Sequence, residues 1–272
     1  MASACNEAAA PAAGRCAPVA AAAALAPHTA SGCFPMREFA TLALGYAACE
    51  AEACAFPFVV RACADFARCA SEAAVRAQLR LEPEVRGYRD VGGYTEHVVT
   101  TGSAALAGFD DATMAHNVID AECRRPAELM PAALAATPGA QAVRAALRLA
   151  YVLSPVPAVH GEFGDLHQDP PMGSGWQYLS RGRKRWHCVD DAAVEGRASA
   201  FSRQQCRQMG SPPDMAAVAA RARVLTAEIC AGDFLSFPVS WPHAVATLEA
   251  SVGLSGYGAV PTPRPAAAAS CA

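Results

Sequence analysis

The sequence predicts a mainly β protein with flanking helices (α+β), its strands closing into a sandwich or barrel, and three observations carry that expectation. From Tyr151 onward short apolar runs punctuated by Gly and Pro succeed one another at close spacing, the texture of many short strands. Ahead of Tyr151 apolar residues sit among good helix formers, which places the helices in the N-terminal half. At 272 residues the chain is long enough for one such domain with a sizeable core.

In chain order, residues 1–32 are a low-complexity alanine-rich leader, expected to be disordered; their small-residue character also suits a transit peptide. Residues 33–150 are expected to form a helical N-terminal part packed on the barrel. Helices are predicted over Met36 to Ala48 and Ala62 to Leu79, with strands at Phe56 to Val60 and Tyr94 to Thr101. Pro126 to Leu149 reads as helix in two pieces divided at Pro138-Gly139. Residues 151–260 are the barrel. Its predicted strands are Tyr151–Leu153, His160–Phe163, Leu166–Asp169, Gly175–Leu179, Lys184–Val189, Val224–Ile229, Asp233–Phe237, Ala244–Leu248 and Val252–Tyr257. A helical insertion near 211–223 opens at Ser211-Pro212-Pro213-Asp214, an N-cap followed by proline in the first turn. The Pro- and Ala-rich stretch 261–272 is expected to be a disordered tail.

Composition narrows the function. A formal charge of −3 with 17% charged residues gives no basic field for phosphate, so direct nucleic-acid binding is not expected. No apolar run reaches the roughly 20 residues of a membrane span. The twelve cysteines include no Cys-x-x-Cys pair and are read as reduced, small apolar residues of an intracellular, nuclear or cytoplasmic protein. A zinc site among Cys49, Cys54, Cys63 and Cys69 is the alternative.

Chemistry concentrates in two stretches. In extended backbone side chains alternate between faces, so His167 and Asp169 point the same way and can grip one ion. A third ligand is expected from His243, which follows the apolar run Phe234, Leu235, Phe237 and the prolines Pro238 and Pro242. Two imidazoles and one carboxylate leave coordination positions open, as non-haem Fe(II) oxygenases require. His28, His97, His116, His160 and His187 lack such a context.

Three blocks agree in order and spacing: His167-x-Asp169, then Trp176-x-Tyr178 with Gly182-Arg183-Lys184-Arg185-Trp186, then Gly232-Asp233-Phe234-Leu235-Ser236-Phe237-Pro238-x-x-Trp241-x-His243-Ala244-Val245. Together they resemble the Jumonji C (JmjC) class of Fe(II)- and 2-oxoglutarate-dependent oxygenases over roughly Tyr151 to Val260. The resemblance implies a double-stranded β-helix (jelly-roll, cupin-like) core, with iron on His167, Asp169 and His243 and the distal carboxylate of 2-oxoglutarate on Lys184. It also points to Tyr178, Gln177 and Ser255 as cofactor-pocket residues. The interval from His167 to Lys184 and the Gly-x-Lys turn are most similar to the lysine-demethylase branch. The implied substrate is therefore a protein or peptide side chain, with a histone-type methyl-lysine to be demethylated first and a residue to be hydroxylated second. Glu162 and Asp165 would lend the mouth an acidic rim.

The chain departs from that pattern at three places. Gly164 stands where the class often carries a threonine that touches the cofactor carboxylate, Gln177, with Tyr178 adjacent, stands where the branch often has a tyrosine or similar hydroxyl, and Ser255, Gly256 and Tyr257 stand where an asparagine is common. A non-catalytic cupin-like metal-binding module is the competing expectation. Trp176, Trp186 and Trp241 flank the site, and core packing is the default role for such aromatics.

Overall fold

The computed structural model describes residues 33–52, 56–91, 94–113, 117–118, 126–131, 148–155, 166, 174–190, 215–220, 222–238 and 241–258. The expected leader (1–32) and tail (261–272), and the strand predicted at His160–Phe163, lie outside them. Within the described residues the chain runs β1 (Cys33–Pro35), β2 (Arg37–Phe39), α1 (Leu42–Ala51), β3 (Phe58–Val60), α2 (Ala64–Cys69), α3 (Glu72–Arg80), β4 (Val85–Val91), β5 (Tyr94–Thr100), α4 (Gly102–Asp110), β6 (Asn117–Val118) and α5 (Pro126–Leu129). It continues with β7 (Arg148–Ser154), β8 (Ser174–Asp190), α6 (Met215–Ala219), β9 (Arg223–Cys230), β10 (Phe234–Phe237) and β11 (His243–Gly258).

The protein is mainly β, and its strands form one nearly closed, barrel-like sheet in the order β2-β3-β10-β8-β11-β7-β6-β4-β5, with β9 on β8 and β1 on β9. The antiparallel pair β8 and β11 is its spine. The first half of β8 pairs with β10 and with residues 253–258 of β11; its second half pairs with β9 and with residues 243–249. Between those halves the register shifts at Thr247, Glu249 and Val252, which bends the pair and folds one half of the sheet over the other. Leu179, Leu235, Phe237 and Val59 from one half then pack against Trp186, Cys188, Leu225 and Ile229 from the other. That apolar contact defines the barrel's interior.

The opposite face of the sheet is covered by helices. Leu42 and Tyr46 of α1, Phe66 of α2, Val75 and Leu79 of α3, and Leu106 and Phe109 of α4 bury themselves against Phe58, Tyr151, Leu153, Trp176, Phe234, Val252 and Leu254. Three of these helices begin where a hydroxyl caps them: Thr41 accepts from Leu44 N–H, Ser71 from Ala74 N–H and Thr101 from Ala104 N–H. No helix among the described residues is long and apolar enough to cross a membrane.

Several expectations change. The helix predicted from Met36 starts instead at Leu42, because Thr41 is its cap and Arg37–Phe39 pairs in parallel with β3. The helix predicted over 62–79 is two, since Ser71 starts a new one. Residues 33–150 are not simply helical: they also supply β1 to β6 and the start of β7. Arg148 and Leu149, expected in a helix, belong to β7, and helix α5 ends at Leu129. The strand pairs predicted on either side of Gly182 and of Glu249 are each one continuous bent strand, β8 and β11. Cys230 is disulfide-bonded, which corrects its reading as a reduced thiol. Cys33, Cys49, Cys63, Cys69 and Cys188 form no disulfide.

Candidate metal and carboxylate site in the barrel

Strand alternation decides which side chains face inward. On β11, Val252 and Leu254 join the helix-side core, so His243, Val245, Thr247, Ser251, Gly253 and Ser255 line the interior. On β8 the inward residues are Gln177 and Leu179, then Lys184, Trp186 and Cys188. The switch from odd to even positions falls in the irregular stretch between Leu179 and Lys184, where the register against β11 shifts and Gly182 adopts φ +87°.

His243 is held in a defined orientation. Its ring lies against Phe237, centroids 4.5 Å apart, and Trp186, centroids 5.5 Å apart and planes at 26°. Its Nδ1 is 3.0 Å from the carbonyl of Trp241. A carbonyl only accepts, so Nδ1 carries a proton, and in the neutral imidazole Nε2 then carries the lone pair that a metal needs. The residue is 3% exposed.

Lys184 is also 3% exposed, and its Nζ donates to the hydroxyl of Ser154 on β7 at 2.7 Å. No carboxylate pairs with it among the described residues. The adjacent Arg183 and Arg185 face the other way, toward Glu228 and Glu249. Burial pushes the Lys184 ammonium down to about 7. Gln177 is buried with its carboxamide oxygen unpartnered, and the indole N–H of Trp186 is likewise buried without a partner. The interior thus combines an oriented imidazole with a cation and polar atoms that have no compensating partner among the described residues.

His167 and Asp169 lie outside the described residues, as do Glu162, Gly164 and Asp165. Among the described residues no three His, Cys, Asp or Glu side chains gather at one point. Leu166, the residue before His167, is fully buried in a cluster with Val189, Val218, Val224 and Ala244, and Ala244 is the residue after His243. Leu166 and Ala244, each one residue from a predicted ligand, therefore belong to one apolar cluster.

Tyr178 does not reach this interior, which corrects its expected place in a cofactor pocket. It sits on the helix-side face of β8, stacked on Phe66 at 4.8 Å, and burial raises its hydroxyl's pKa. Gln177 and Ser255 face inward as register partners, with the Ser255 hydroxyl donating to the Trp176 carbonyl. Trp176 is core, while Trp186 flanks His243. His187 occupies the outer face, its pKa lowered to about 4 by burial and by Arg185.

Within the motif Gly232-Asp233-Phe234, the aspartate is structural. It accepts from Arg61 at 2.7 Å, from Ala62 N–H at 3.0 Å and from Cys230 N–H at 3.0 Å, tying the end of β3 to the β9–β10 turn. Ser154 was not singled out from the sequence. The alternation Tyr151-Val152-Leu153-Ser154 puts it on the inward face once Leu153 is assigned to the core, but nothing local says that it meets Lys184.

No protein-family model matches the chain, and no curated protein matches its sequence.

Proposed function

We propose that the protein is an Fe(II)- and 2-oxoglutarate-dependent oxygenase of the JmjC type, with a double-stranded β-helix core. The observation that carries this reading is the pairing, inside one barrel, of a buried, oriented imidazole at His243 with a buried ammonium at Lys184 that has no acidic partner among the described residues. A buried ammonium without a counter-charge is costly, and the expense is offset when an anionic ligand occupies the interior. A metal ligand at one point and a carboxylate anchor at another fit a keto diacid that chelates a metal through its keto-acid end. The donor set therefore suits both groups.

In this reading His243, with His167 and Asp169, holds the metal, and Lys184 holds the distal carboxylate. The chemistry that Fe(II) and 2-oxoglutarate supply when bound is oxidation of a substrate C–H bond by O2, coupled to conversion of the keto acid to succinate and carbon dioxide. The chain's own contributions are orientation and exclusion of water. Trp241 fixes the imidazole through its carbonyl, Phe237 and Trp186 wall it, and the apolar contact between sheet halves keeps the interior dry.

The proposed substrate is a polypeptide side chain, and hydroxylation is favoured over removal of a lysine methyl group. A methyl-lysine pocket needs oxygen acceptors around the cation. Tyr178 and Ser255, the described hydroxyls expected to serve, are engaged elsewhere, one in the helix-side core and one on the Trp176 carbonyl. The test is turnover of 2-oxoglutarate by the Fe(II)-loaded protein, followed by mass spectrometry of candidate peptides. A gain of one oxygen supports the reading, formaldehyde release moves it to demethylation, and no succinate above a His243→Ala control refutes the oxygenase.

A further inference from the structure

We infer that Ser154 is a second carboxylate-binding residue, its hydroxyl donating to the same distal carboxylate that Lys184 neutralises. The inference rests on the 2-oxoglutarate reading above and assigns a role to a residue on a different strand from every other proposed cofactor contact.

The argument is a count of donors. Ser154 Oγ accepts from Lys184 Nζ, and that is its one hydrogen bond among the described residues. A hydroxyl that presents a lone pair to an ammonium turns its own proton away from it, so Ser154 retains a donor. No hydrogen bond among the described residues joins it to its register partner Ser251, whose own hydroxyl donates to the Glu249 carbonyl at 2.6 Å. Lys184 keeps two further N–H donors beyond the one given to Ser154. Ser154 is 1% exposed and Lys184 3%, so water cannot satisfy them from the surface. Three donors and one positive charge thus meet in a buried place; among the described residues none of the three has a hydrogen-bond partner, and the unpartnered acceptor on the same interior, the Gln177 carboxamide oxygen, carries no charge. A carboxylate, acceptor-only with about four lone-pair sites and a negative charge, matches both deficits at once. A neutral carbonyl would satisfy donors and leave the charge.

The test uses the full chain loaded with Mn(II) as a redox-inert metal and measures binding by calorimetry. Two ligands are compared: 2-oxoglutarate, and 2-oxobutanoate, which has the keto-acid end but no distal carboxylate. Ser154→Ala is expected to weaken 2-oxoglutarate by about tenfold or more, the loss of one charge-assisted hydrogen bond, and to leave 2-oxobutanoate unchanged. Ser154→Thr, which keeps the hydroxyl, is expected to restore most of the 2-oxoglutarate affinity. Thermal melts of both variants guard against misfolding. Unchanged 2-oxoglutarate binding in Ser154→Ala, or equal weakening of both ligands, overturns the role. If the unaltered protein binds metal but no 2-oxoglutarate at millimolar concentration, the cofactor reading itself falls, and the role of Ser154 falls with it.

Discussion

Lys184 and Ser154 meet 2.7 Å apart inside the barrel, and the lysine belongs to the strand that also carries Trp186, the wall of His243. Such a lysine is a burden on the empty protein. Its folded pKa is depressed to about 7 from an ordinary 10.5, so between those values the unfolded chain binds more protons than the folded one. Stability therefore rises with pH across that window, and below pH 7 the full penalty remains. Lys184→Met is expected to raise the melting temperature without ligand, most at pH 6 and least near pH 10, while strongly weakening 2-oxoglutarate binding. Melting curves of both proteins across that range check it; a destabilised variant at pH 6 would contradict it.

The same titration makes cofactor binding pH-dependent. A dianion binds the protonated lysine, so above pH 7 each binding event takes up a proton, and affinity is expected to fall about tenfold per pH unit. Below pH 7 Lys184 contributes no slope. Calorimetry in buffers of different ionisation enthalpy reads the proton directly. Lys184→Arg, whose guanidinium stays charged, should flatten the profile even if it binds less tightly. Lys184→Ala should weaken 2-oxoglutarate by about 2–4 kcal/mol and leave metal affinity intact.

Metal binding has an internal reporter in Trp186, stacked at 5.5 Å on His243. Fe(II) or Co(II) is expected to quench tryptophan emission in the unaltered protein and much less in Trp186→Phe. His243→Ala should lose metal. His187→Ala should retain it, because His187 lies on the outer face of β8. Equal metal loss in both histidine variants would argue against an interior site.

How much of this was legible in the sequence depended on local signals. Phe58–Val60, Val224–Ile229 and Phe234–Phe237 announce themselves as short β-rich runs, and His243 followed from one of them. Strand β4 did not: Val85-Arg-Gly-Tyr-Arg-Asp-Val91 is too polar to stand out, and its pairing with β5 is a tertiary fact. Helix α4 hides behind two glycines, although Thr101 caps it and Leu106 and Phe109 anchor it. Inward and outward residues of β8 could not be assigned by alternation alone, because the irregular stretch between Leu179 and Lys184 reverses them. The resemblance places Tyr178 in the pocket with Lys184, and that reversal is why the structure separates them. Ser154 was illegible for a plainer reason: its partner lies on another strand, and only the fold joins them.

Gly182 is the position on which the whole arrangement turns. Its φ of +87° is one that side-chain-bearing residues rarely adopt, and a Cβ there would stand 2.4 Å from the Ala250 carbonyl oxygen and 2.7 Å from the Ser251 Cα. Both obstacles are backbone, so neither can swing aside. Gly182→Ala therefore costs about 1–3 kcal/mol from strain at that φ, with the clash adding to it. Relief comes by undoing the register shift there, and a one-residue change of register turns Lys184 from the interior to the helix-side face. The expected phenotype is more than instability: 2-oxoglutarate affinity falls as far as in Lys184→Ala, while metal binding at His243, on the facing strand, is retained by the fraction that stays folded. Denaturant unfolding gives the stability change, and parallel titrations with Mn(II) and 2-oxoglutarate separate the two sites. Loss of both in proportion to unfolding would show that Gly182 serves the fold alone and does not set the direction of Lys184.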